Sequence, residues 1–100
     1  MSYYIRPTAQ AEADADRLYA SIVGRSGKLS ALWWYESYTK AIQRLRSMPF
    51  SCGLAYENPR FTVEIRHLLF GVHRKRRYRA LFTVQGDEVV INEQLGLGIA

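Results

Sequence analysis

The sequence predicts an α+β fold in one domain spanning residues 1–100: an N-terminal strand, an antiparallel helix hairpin, then a three-stranded antiparallel meander, in the order β-α-α-β-β-β. Three observations carry this expectation. Apolar residues recur at three- and four-residue spacing through the first half of the chain. The period falls to two after residue 60. Glycine- and proline-bearing punctuation separates the periodic stretches. A chain of 100 residues has room for one core, not two.

Tyr3 to Arg6 is short, aromatic and suited to an edge strand, which Pro7 ends. Thr8 is placed to cap the following helix, without the Glu or Gln three residues later that completes a capping box. Over residues 9–23, Ala11, Ala15, Leu18 and Ile22 recur at helical spacing, and Glu12, Asp14 and Asp16 lie toward the end where the helix dipole favours anions. Gly24 to Lys28 reads as a turn. A second helix is expected over 30–48, with Trp34, Tyr38, Ala41, Leu45 and Met48 as its apolar stripe, broadened by Ile42. Lys40, Arg44 and Arg46 fall toward water, and Pro49 closes the helix.

Residues 49–60 read as a loop. Phe61, Val63 and Ile65 then alternate with Thr62, Glu64 and Arg66, in a strand expected to run on through Leu68 to Phe70. Gly71 to Arg76 reads as a basic connection. Tyr78, Ala80, Phe82 and Val84 alternate with Arg79, Leu81 and Thr83, Gln85-Gly86-Asp87 is a tight turn, and Glu88 to Asn92 is the last strand. The uncharged stretch from Gln94 to Ala100, with two glycines, reads either as a frayed end or as a strand.

The formal net charge is +5, and eleven of the 14 basic residues are arginine. Arginine's planar fork of donors suits phosphate and carboxylate, which points to an anionic partner rather than to solubility alone. The single cysteine, Cys52, excludes an internal disulfide, and no ligand set at metal-binding spacing is visible, so neither metal nor cofactor is expected. With no signal-peptide pattern near Met1 and no apolar run of membrane-spanning length, a cytoplasmic protein without membrane contact is expected.

The charge is concentrated. Between Arg60 and Arg79 lie seven basic residues against one acid, Glu64, a local net of +6. Arg60, Arg74, Lys75, Arg76 and Arg77 make a basic patch suited to phosphates or to an acidic protein segment. Period-two geometry puts Arg79 opposite Tyr78 and Phe82 on its strand and puts Arg66 on the polar side of the preceding one. Neighbouring strands then hold Arg66 and Arg79 on a common surface. Two roles stay open there: clamping a phosphate, or pairing in solvent with Glu64, Glu88 or Glu93. His67 is a weaker candidate, because cationic neighbours disfavour its protonated form. Trp33 and Trp34 are adjacent on helix two and cannot both face the core, so Trp33 with Tyr35 forms a ledge suited to a partner contact. Cys52 has no His or acid at motif spacing, and Gly24 and Gly27 do not form a phosphate loop.

The run Val63-Glu64-Ile65-Arg66-His67-Leu68-Leu69-Phe70-Gly71, then Arg77-Tyr78-Arg79-Ala80-Leu81-Phe82-Thr83-Val84, then Gly86-Asp87-Glu88-Val89-Val90-Ile91, resembles the second half of RelE/ParE superfamily toxins. Its most specific feature is a Tyr-Arg pair entering a strand, followed by a Gly-Asp turn and a Val-rich strand. The resemblance implies the toxin of a type II toxin–antitoxin module, of the kind also called plasmid stabilization proteins, neutralised by a cognate antitoxin as a hetero-oligomer. A homodimer is the other assembly considered. RelE-like members cut messenger RNA on the ribosome and ParE-like members poison DNA gyrase. In the ribonucleases, basic side chains on the central strands engage the scissile phosphate, and Arg66 and Arg79 are the matching positions. The stretch from Asn92 to Ala100, where many members carry His, Tyr or Arg, has no cation and no evident general base beyond Glu93. Ribonuclease action, gyrase inhibition and a non-toxic binding module of the same fold therefore all stay open.

Overall fold

The computed structural model describes residues 2–58, 62–73 and 76–99, with backbone alone at 72–73, 76–77 and 96–99. The elements follow the expected order: β1 (Tyr4–Pro7), α1 (Ala9–Ser26), α2 (Lys28–Leu45), a 3-10 turn (Pro49–Ser51), β2 (Arg66–His73), β3 (Arg76–Gln85) and β4 (Glu88–Ile99). The sheet order is β1-β4-β3-β2. The β2-β3-β4 meander is antiparallel as predicted, while β1 joins β4 in parallel, Tyr4 opposite Glu88 and Pro7 opposite Ile91, so the sheet is mixed. Pro7, which has no N–H to give to a ladder, sits on an edge strand.

The Thr8 cap forms as read: its Oγ1 accepts the Ala11 N–H at 3.1 Å and donates to the Asn92 carbonyl at 3.0 Å, tying the start of α1 to β4. The helix hairpin is tighter than expected. α1 runs on through Gly24 to Ser26, and Gly27 alone separates it from α2, at a φ of 90° that a side chain would strain. α2 ends at Leu45 rather than at residue 48. Pro49 disfavours helical backbone in the residue before it, and Met48 turns out to solvent.

The helix pair covers one face of the sheet. Trp34 lies at the centre with no exposed surface, stacked 5.9 Å from Tyr38 and edge-on to Tyr78 at 5.9 Å. Leu45, Leu68, Phe70, Ala80, Phe82, Val89 and Ile91 complete this core. Each buried Leu, Ile or Phe contributes about 1.5–3 kcal/mol. The opposite face has its own small cluster, Ala55, Ile65 and Leu81 with Leu95 against them.

Two strand expectations need correction. β2 begins at Arg66, not at residue 61, and it continues through Gly71 to His73, where a basic connection was expected. Ile65 precedes the strand and is buried in the second cluster, not under the helices. β4 extends past Asn92 to Ile99, because β3 offers it a ladder, Tyr78 opposite Gly96 and, after a shift of register, Arg76 opposite Ile99. A bulge makes that extension fit. Phe82 faces Ile91 but Leu81 faces Glu93, which leaves Asn92 as the extra residue. Beyond it the alternation reverses and turns Gln94 inward, where its N–H donates to Asp14 Oδ2 at 3.0 Å and its Nε2 to the Ala11 carbonyl at 3.2 Å. Asp14 also accepts from Gln10 Nε2 at 2.7 Å and Arg17 Nη1 at 3.0 Å.

Candidate functional site

The register decides where the two arginines go. Arg66 lies opposite Phe82, Leu68 opposite Ala80 and Phe70 opposite Tyr78, all on the side the helices cover. Arg79 lies opposite Leu69, and His67 opposite Leu81, on the other side. Opposed residues of an antiparallel pair project from the same face. Arg66 and Arg79 therefore point away from each other, and the common surface expected for them does not form. The misreading is one of phase. The alternation Phe61, Val63, Ile65 was counted as continuous with β2, whereas Ile65 belongs to the second cluster and Leu68 to the first.

Arg66 sits where β2 leaves the core. Its Nη1 donates to the Cys52 carbonyl at 2.6 Å, its Nη2 approaches Glu64 at 3.3 Å, and its guanidinium lies 5.1 Å from the centre of the Phe50 ring. The Glu64 pairing is one of the acid pairings left open for it.

Arg79 is held more firmly. Its side chain is 3% exposed. Nη1 donates to Glu57 Oε1 at 2.8 Å, Nη2 donates to Glu57 Oε2 and, at 2.7 Å, to the Tyr56 hydroxyl, and the guanidinium lies 4.3 Å from the Tyr56 ring centre. This is a two-pronged guanidinium–carboxylate pair, strong because both partners are ionised and planar. The Arg79 hydrogen bonds hold the Glu57 carboxyl below the usual carboxylate range against the opposing effect of burial, and Glu57 in turn raises Arg79. Nε of Arg79 and Nδ1 of His67 are both buried without a protein partner among the described residues.

Glu57 and Tyr56 come from the connection between the 3-10 turn and β2. Its base is pinned by backbone bonds: Ala55 N–H to Ile65 O at 2.8 Å, His67 N–H to Gly53 O at 3.1 Å, and a bridge between Leu54 and Arg66. Asn58 Oδ1 accepts the Ile65 N–H at 2.8 Å. The sequence reading missed both residues, because nothing local links an acid in a loop to an arginine on a later strand. As folded, Arg79 is neutralised and Arg66 faces elsewhere, so these two guanidiniums do not together clamp a phosphate.

Of the expected basic patch, Arg60, Arg74 and Lys75 lie outside the described residues, and Arg76 and Arg77 are placed only as the backbone that opens β3. Trp33 and Tyr35 are half exposed on α2, as the ledge requires. Trp33, Glu36, Ser37 and Lys40 line a shallow groove of about 400 Å³. Among the described residues, no three His, Cys, Asp or Glu side chains gather as a metal site, and no helix is long and apolar enough to cross a membrane.

No family model and no curated protein matches the chain. Among solved structures, a chain of the chromosomal ParDE TA system from P. aeruginosa is similar to it with a TM-score of 0.73 at 22% identity, over 93% of this chain and 94% of that one. The strand, helix pair and three-stranded meander on a mixed sheet are thus a fold shared with that chain of the ParDE TA system.

Proposed function

We propose that this chain is the toxin of a type II toxin–antitoxin module, held inactive by a cognate antitoxin. The observation that carries the reading is the match of fold, over nearly the whole of both chains, to a chain of a ParDE toxin–antitoxin system. The half-exposed Trp33 and Tyr35 and the groove beside Trp33 supply an aromatic surface on α2 for the antitoxin.

Of the two targets, DNA gyrase is favoured over messenger RNA. Cleavage of a phosphodiester asks for cationic groups around the phosphate and for a base and an acid in reach of it. Arg66 and Arg79 project from opposite faces, Arg79 is neutralised by Glu57, and the sequence from Gln94 to Ala100 adds no charged group. Inducible expression with and without the neighbouring small gene tests the reading. The expected result is growth arrest relieved by the neighbour, with intact transcripts and blocked supercoiling by purified gyrase. Growth unaffected by expression overturns the toxin assignment, and transcript cleavage on ribosomes transfers the target to messenger RNA.

A further inference from the structure

A sheet leaves backbone donors and acceptors bare along its edges, and soluble chains blunt those edges with charge, proline or covering segments. Most of the edge here is blunted. β1 carries Arg6 and Pro7. The start of β2 is covered by residues 53–55, through the His67 N–H to Gly53 O and Ala55 N–H to Ile65 O bonds, and Ser37 Oγ donates to the Gly71 carbonyl at 3.2 Å. The second half of β4 differs. β1 accompanies β4 only from Glu88 to Ile91, so beyond that point the far side of β4 is itself an edge. Thr8 donates to the Ile91 and Asn92 carbonyls, and Asp14 accepts the Gln94 N–H. From Leu95 to Ile99 nothing pairs with that side among the described residues. Gln94 directs its N–H away from β3, and the period of the strand directs the Gly96 N–H the same way. The register shift past Gly96 gives β4 one residue more than β3, which leaves further backbone groups unpaired.

We propose that this edge is where a second copy of the chain pairs, β4 against β4 and antiparallel, joining two four-stranded sheets into one. Two observations select a second copy. The segment Leu95-Gly96-Leu97-Gly98-Ile99 reads alike in both directions by residue class. An antiparallel partner of the same sequence, centred on Leu97, sets leucine opposite leucine, glycine opposite glycine and Leu95 opposite Ile99, a match particular to self-pairing. The segment from Gln94 to Ala100 also carries no charge in a chain of net charge +5, and two cationic copies meet at least cost where neither bears a cation.

The dimer does not rest on the toxin reading: growth arrest tests the toxin, and mass in solution tests the dimer. Light scattering on the purified full chain across a dilution series should give the mass of two chains at the concentrated end and of one at the dilute end. Leu97→Lys faces two like charges across the axis and should raise the dissociation constant at least about tenfold. Leu54→Lys makes the same charge change at an exposed leucine elsewhere and should not. Crosslinking reads the register directly and leaves the charge alone. Opposed residues of an antiparallel pair lie within disulfide reach. In a Cys52→Ser background, Leu97→Cys should oxidise to a linked pair of chains on a non-reducing gel, and Leu54→Cys should remain single. The mass of one chain at every concentration overturns the proposal, as does association that grows past two. So does a dimer that Leu97→Lys leaves at wild-type affinity. If Leu97→Lys loses the native circular dichroism spectrum, the crosslink decides: linkage through residue 97 no better than through residue 54 overturns the pairing.

Discussion

Arg79 shows how much a single side chain's partner matters. Period-two alternation was enough to put it opposite Tyr78 and Phe82, because Tyr78, Ala80 and Phe82 are buried under the helices while Arg79 and Leu81 turn to the other face. The identity of its counter-ion was not legible, since Glu57 is far away in sequence and on an irregular segment. Breaking a buried pair leaves the remaining charge without compensation, so Arg79→Ala is expected to cost about 3–5 kcal/mol in urea denaturation. Arg79→Ala/Glu57→Ala should cost clearly less than the sum of the two single changes, as coupled neighbours do. Acid gives a second measurement. The folded pKa of Glu57 lies below its unfolded value of about 4.3. Its contribution to stability is therefore complete above that pH and is lost as pH falls through the depressed folded value. Urea midpoints measured from pH 7 to pH 3 should fall less steeply in Glu57→Gln than in wild type.

At the level of elements, helices were easier to foresee than strand ends. Ala11, Ile22, Trp34, Ala41 and Leu45 are all buried where helical spacing puts them. β4 was read short because the glycines after Glu93 argue against a strand, and the ladder offered by β3 overrides that weak local preference. The bulge at Asn92 was invisible for a related reason: alternation changes phase there, so Gln94 looks outward by count and lies inward in fact. The phase error at Ile65 and Arg66 has the same origin, a sheet with apolar residues on both faces. The inward turn at Gln94 is held by Asp14. Asp14→Ala leaves the Gln94 N–H buried without its acceptor, at an expected cost of about 1–3 kcal/mol. Thr8→Ala removes a helix cap and should cost about 1 kcal/mol. Urea midpoints that rank Thr8→Ala well below Asp14→Ala in stability would contradict this picture of how β4 is anchored.

For the molecule as a whole, the two faces of the sheet have different work. The helix pair seals one, and on its outer side α2 leaves Trp33 and Tyr35 half exposed. The overall order of elements was legible because each stretch has a clean period, while the parallel pairing of β1 with β4 was not, since no local pattern names a partner. If the antitoxin docks on α2, Trp33→Ala should cost only about 1–2 kcal/mol of stability, since half of the side chain is already in water. The same change should weaken antitoxin binding in calorimetry. Undiminished binding would move the contact elsewhere.

The seating of Tyr4–Pro7 against Glu88–Ile91 bears on how the protein is born. During translation the first strand emerges with its hydrogen-bonding edge bare and must wait for almost the entire meander to follow. At about 5–20 residues per second that interval is on the order of ten seconds. The edge of the sheet that β1 completes thus closes only after residues 88–91 have been made.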